Sequence, residues 1–279
     1  MNRISSTGRP PDLYDAHLHL TDSRLSPFLA DIVQTMIRTG IRGCVSNSTG
    51  VDDWESILSL ASAHSWIRPA IGVHPWRVST LHEDWYPKWV RLLDFHPDCL
   101  IGEIGLDLGI RDPDISKQRK VFRLQITAAA ERRIPPSIHC VRAWNELHAE
   151  MKSVLPLRSG FLLHAFNGPS ESVLKWSKAG AYFSVSPRET KHLNSSRIGQ
   201  LRQIPIERIL IETDAPNVSP TDNNTTHQLI DPNSGKRLNH PADLSSTLIQ
   251  LARILEHEPH KLAAQIASNY HTLFGTSAE

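Results

Sequence analysis

Residues 99–107 read Cys-Leu-Ile-Gly-Glu-Ile-Gly-Leu-Asp, an apolar run with a single glutamate, Glu103, at its middle. A helix would spread these apolar residues over all its faces, whereas a parallel strand buried on both faces reads as such a continuous run. Working outward, seven other runs have the same character: 13–19, 41–47, 67–75, 135–141, 160–166, 181–187 and 208–216. Between them lie amphipathic stretches such as Val51–His64, Ser116–Arg133 and Ala143–Val154. Eight βα units predict an α/β fold of the TIM type, a (β/α)8 barrel in one domain, closed by a helical C-terminal tail. A doubly wound open sheet is the rival, but no glycine-rich phosphate loop follows the first strand. The barrel is expected over residues 12–279, with 1–11 as an extension.

Hydrophobic residues at 39% and charged residues at 21% allow a sizeable core. No stretch approaches the ~18 consecutive apolar residues of a membrane span, and the start has no leader-like apolar run, so a cytoplasmic, membrane-free protein is expected. Cys44, Cys99 and Cys140 each sit in an apolar run and read as reduced, buried thiols. Thirty Lys and Arg against 29 Asp and Glu give no global pull toward a polyanion, so any such contact must be local. No protein partner is evident, and a monomer is expected.

The 15 histidines matter through their placement. His17 and His19 stand two apart at the end of the first strand, so both project from one face. Four other strands end in metal-ligand chemistry: Glu103, His139, His164 and Asp214. A lone carboxylate in an apolar strand costs several kcal/mol unless compensated, either by a buried arginine or by a divalent cation. Four imidazoles with two carboxylates exceed one tetrahedral ion and suit two ions about 3.5–4 Å apart sharing Glu103. Zn²⁺, Mn²⁺, Co²⁺ or Fe²⁺ suit this set better than Mg²⁺.

The succession D-x-H-x-H at Asp15–His19, G-x-H-P at Gly72–Pro75, G-E-I-G-L-D at Gly102–Asp107, the lone His139 and His164, and E-T-D-A-P at Glu212–Pro216 closely resembles the TatD family of metal-dependent deoxyribonucleases, within the amidohydrolase-like barrels. N-Y-H-T-L-F-G at 269–275 extends the resemblance nearly to the end. It implies that His17, His19, Glu103 and Asp214 hold one ion, that Glu103, His139 and His164 hold the other, and that His74 faces a DNA phosphate. Asp214 would be the catalytic base. Departures lie at Val141, which displaces the family's arginine by one position to Arg142, and at His240, where the family has Asn-Glu-Pro and this chain Asn239-His240-Pro241. Arg142 remains a candidate phosphate contact.

Trp76, next to His74 and Pro75, is a candidate for stacking on a base, while Trp85 and Trp89 have the spacing of core residues on a helix. Glu212 either assists Asp214 or pairs with an arginine. Asn217–Pro241 reads as a long active-site loop without secondary structure, in which Lys236 and Arg237 are in reach of a phosphate. The histidines of His257–His260 are expected at the surface. Near-neutral charge and the lack of a basic stripe suit an exonuclease on single strands or frayed ends. Rival readings are a hydrolase of small amides, lactones or esters, and an idle scaffold. Related amidohydrolases place a modified lysine where this chain has Glu103.

Overall fold

In the computed structural model, which describes residues 11–191, 193–218 and 226–275, the eight apolar runs become parallel strands that pair in chain order. They are β1 (Leu13–Leu18), β2 (Ile41–Asn47), β3 (Ile67–Ile71), β4 (Leu100–Asp107), β5 (Pro136–Val141), β6 (Phe161–Leu163), β7 (Ala181–Val185) and β8 (Ile209–Ile211). Every residue of β4 is buried, as a strand covered on both faces requires. Helices alternate with the strands: α1 (Leu29–Arg38), α2 (Trp54–Ala63), α3 (Trp85–Phe95), α4 (Ile115–Arg132), α5 (Trp144–Met151), α6 (Val173–Lys178), α7 (Pro187–Lys191) and α8 (Ser195–Gln203). The tail is α9 (Leu244–Leu255) and α10 (Pro259–Phe274). None of the described helices is long and apolar enough to cross a membrane.

The seam between β1 and β8 closes the barrel. Asp214 N–H donates to the His17 carbonyl at 3.0 Å, and His19 N–H to that of Ala215 at 2.8 Å. Buried Asp15 accepts from the Thr213 hydroxyl at 2.6 Å and from its N–H at 3.1 Å. Asn269 on α10 donates to the carbonyls of Ile206 and Ile209, both at 2.8 Å, which ties the tail to the entry of β8. Trp85 and Trp89 on α3 are buried, and the three cysteines are buried and free.

At Gly105 only glycine fits. Its φ is +155° and a Cβ there would lie 2.0 Å from the His139 carbonyl oxygen. Gly102 is similarly closed in, with Asn47 Oδ1 2.4 Å from a notional Cβ. These two glycines let β4 press against its neighbours on both sides of Glu103, which explains their spacing in G-E-I-G-L-D.

The segment expected as a bare loop contains an antiparallel pair, β9 (Leu229–Ile230) with β10 (Arg237–Leu238). Two-residue strands leave no readable alternation, so the hairpin was not legible. Residues 219–225 of that segment and residues 1–10 of the expected extension lie outside the described residues.

Candidate metal centre

His17, His19, Glu103, His139, His164 and Asp214, drawn from five strands, meet at the C-terminal mouth of the barrel, where loops after the strands build barrel sites. Glu103 stands at the centre. Its Oε2 lies 3.3 Å from His17 Nε2 and 3.4 Å from His19 Nε2. Its Oε1 lies 2.9 Å from His139 Nδ1 and 3.3 Å from His164 Nε2. Asp214 Oδ1 is 3.4 Å from His19 Nε2. The two carboxylate oxygens thus divide the imidazoles into two pairs. His17, His19 and Asp214 form one ligand-spaced group, and His17, Glu103 and His164 another.

The outer nitrogens explain why the inner ones face Glu103. His19 Nδ1 donates to the Asn47 carbonyl at 2.9 Å, and His17 Nδ1 meets Ser137 Oγ at 2.8 Å. His164 Nδ1 is 3.0 Å from Glu212 Oε1, and His139 Nε2 is 3.2 Å from Asp107 Oδ2. Each outer partner is an oxygen able to take the single N–H of a neutral ring, which leaves the inner nitrogen with its lone pair. In the neutral rings that a bound cation requires, four lone pairs and two carboxylates converge on one space, and among the described residues the ion-pair partners of Glu103 are all imidazoles. Glu103 Oε1 is buried and accepts no well-directed hydrogen bond. The donor set fits divalent cations.

His74 differs from these four. It caps the 3₁₀ turn Pro75–Thr80, and its Nδ1 accepts the Trp76 N–H at 3.2 Å. The proton must then sit on Nε2, which faces Glu103 Oε1 at 3.4 Å. Although His74 lies at ligand spacing with Glu103 and His139, its inner atom is a donor, suited to an anion. Burial pushes its pKa down to about 4, outweighing the attraction of Glu103, so the ring stays neutral. Burial works against the charge of Glu103, yet the imidazoles of His74, His17 and His164 hold that carboxyl well below its usual range.

Among the described residues Glu212 has no arginine partner. It is fully buried, backs His164 and accepts from Ser184 Oγ, and burial raises its carboxyl well above the usual value. Asp214 has φ +52°, a left-handed conformation that costs a non-glycine residue about 1 kcal/mol or more and aims this side chain into the site.

The centre opens into a cavity of about 540 Å³ lined by His74, Trp76 and the basic residues Arg24, Arg188, Lys236 and Arg237. Glu189 and Asp231 line it too, and Arg24 pairs with Asp22 at 2.7 Å, so the basic side chains are interspersed with carboxylates. Arg142 is not brought into the cavity lining. Val141 forms that part of the wall, while Arg142, in a left-handed turn with φ +56°, is exposed and outside the lining. Arg24, Arg188, Asn47, Asp107, Ser137 and Ser184 were missed as site residues. Asp107 alone had a sequence signal, its place in G-E-I-G-L-D.

A family model described as TatD related DNase matches residues 14–275. The chain belongs to this family. Among its TatD relatives, the 3′-5′ ssDNA/RNA exonuclease TatD of Citrobacter koseri is 29% identical over 265 residues, covering 94% of this chain and 99% of that protein. The same enzyme of Salmonella typhimurium is 28% identical over 267 residues, covering 94% and 98%. The TatD homolog YJJV from Escherichia coli K12 superposes with a TM-score of 0.84 at 21% identity, over 95% of this chain and 98% of that one, which shows the shared fold.

Proposed function

We propose that this TatD-family protein is a metal-dependent phosphodiester hydrolase that removes nucleotides from single-stranded or frayed DNA ends, with the 3′-to-5′ polarity for which its relatives are named. The observation that carries the reading is the set of four imidazole nitrogens gathered around the under-satisfied Glu103 carboxylate. His17, His19, Glu103 and Asp214 would hold one divalent ion, and Glu103, His139 and His164 a second, with Glu103 common to both. What a Zn²⁺, Mn²⁺ or Mg²⁺ pair supplies when held there is Lewis acidity toward the phosphate and the attacking water.

The chain's own groups do the rest. Asp214 takes the proton of the attacking water. His74 donates its Nε2–H to a phosphate oxygen as charge builds there, and its N-cap bond keeps that donor aimed before substrate arrives. Arg24, Arg188, Lys236 and Arg237 draw the strand to the mouth, and Trp76 offers an aromatic surface beside it. No nucleophilic side chain is needed.

The test uses purified protein stripped of metal and reloaded with Mn²⁺, Zn²⁺ or Mg²⁺, assayed on end-labelled single- and double-stranded DNA, on RNA, and on small esters and lactones. Metal-dependent shortening of single strands, lost in Glu103→Ala and His139→Ala, is expected. Cleavage that survives both substitutions sinks the metal-centred mechanism, and turnover of lactones or esters alone replaces the nuclease reading with the small-substrate one. A protein that takes up no metal under any loading is a scaffold.

A further inference from the structure

Asp107 ends β4 four residues beyond Glu103, and the established ligand pattern gives it no role. Its Oδ2 is a shared acceptor. It takes the indole N–H of Trp76 at 2.7 Å and lies 3.2 Å from His139 Nε2. Its Oδ1 accepts the Gly109 N–H at 2.6 Å, so the carboxylate itself is fixed. The indole it holds is 57% exposed, and among the described residues it is the one largely exposed big hydrophobic side chain that lines the cavity. The rings nearest to it, His74 and His139, meet it at 77° and 74°, so neither stacks on its face.

An exposed tryptophan left to rotate loses much of its binding value to the entropy of being ordered. One tethered at its N–H is already placed. We infer that Trp76 is the platform for an unpaired base at the end of the strand, and that Asp107 is a positioning residue that sets this platform and His139 from one oxygen. The inference rests on the nuclease reading and adds to it a reason for preferring unpaired ends, since a base held in a pair cannot turn away from its partner to lie on the indole. It also joins base binding to the metal site. A shift of the indole is felt at the oxygen that orients the His139 ring.

The test compares binding of two fluorescent oligodeoxynucleotides with a cleavage-resistant phosphorothioate at the 3′ end, one ending in an ordinary nucleotide and one in an abasic sugar. The metal-loaded wild type should bind the base-bearing end about 5- to 100-fold more tightly, the range expected from stacking, with quenching of tryptophan emission. In Trp76→Ala that ratio should fall close to one. Trp76→Phe, which keeps a ring but not the N–H, should retain part of it and lose the quenching. With cleavable substrate, Trp76→Ala should act chiefly on KM. Asp107→Asn should shrink the ratio and also lower kcat by about 10- to 100-fold, as loss of an outer partner of a ligand histidine does.

An unchanged ratio in Trp76→Ala overturns the platform, and Asp107→Asn that lowers kcat with the ratio intact overturns the coupling. Cleavage without any preference for the base-bearing end defeats the platform and leaves the nuclease reading standing. A preference without cleavage does the reverse.

Discussion

Glu103 and Glu150 are both buried in this barrel, at 2% and 5% exposure, and their charges are met in opposite ways. Glu150, on α5, receives Arg119 Nε at 2.6 Å on one oxygen and Arg123 Nε at 2.7 Å on the other. Both arginines come from α4 and carry a permanent charge, with side chains 42% and 60% exposed. Among the described residues the ion-pair partners of Glu103 are all imidazoles, neutral when they serve as ligands, and one of its oxygens has no directed donor. The first arrangement is complete within the chain and stitches two helices together. The second has no Lys or Arg partner among the described residues, and it is here that the proposed divalent ions would supply positive charge.

The largest effect should come from removing the Glu103 charge without changing the side chain's shape. Glu103→Gln should lower DNA cleavage by about 10³-fold or more, while the metal-free variant melts no lower than metal-free wild type, because a costly buried charge has been removed. A metal-free melting point well below the parent's would show that Glu103 is structural after all.

Next in size is the response to metal itself. Chelation should destabilise wild type by about 2.7 kcal/mol for each ion held at 100 times its Kd, a drop in Tm of about 5 °C per ion. Calorimetry with and without chelator should find that shift intact in Glu150→Ala and absent in Glu103→Gln. Equal shifts in both variants would erase the distinction.

Glu150→Ala should cost about 1–2 kcal/mol, below the ~3–5 typical when one partner of a fully buried pair is removed, since its two arginines can return to water. Chemical denaturation measures this, and kcat/KM should stay within about twofold of wild type. The smallest signal is in pH. Although burial works against its charge, Arg123 and Arg119 hold the Glu150 carboxyl below its ordinary value. Its stabilisation is therefore fully present above the unfolded carboxyl pKa of about 4.3 and fades as the pH falls through the lower folded value. Glu150→Gln should flatten the loss of stability below about pH 4.3, and an unaltered acid slope would argue that the arginines contribute little.

Much of the site is legible in the sequence because each ligand candidate interrupts or ends an apolar strand, where a polar residue needs a reason. The outer partners are not. Asn47 acts through its carbonyl, which every residue possesses, and Ser137 is an ordinary small residue in a strand. What makes each of them a partner is a neighbour on another strand. The fold is legible for a similar reason, since eight continuous apolar runs admit few architectures, whereas the β9–β10 hairpin is too short to leave a pattern. For Arg142 residue type shows charge but not the left-handed backbone, φ +56°, or the exposed position that the fold gives it.

The seam between β1 and β8 has a consequence for how the protein comes into being. Asp15 and Thr213 are 198 positions apart, and His17 and His19 lie on one side of that seam with Asp214 on the other. Contacts of such separation form late, after the long intervening chain has condensed. As the ribosome releases the polypeptide from its N-terminal end, the histidine pair emerges early and waits for its carboxylate until β8 has been made. A fragment released before that point has no finished cutting centre, so the cell is not exposed to a nuclease that is only partly built.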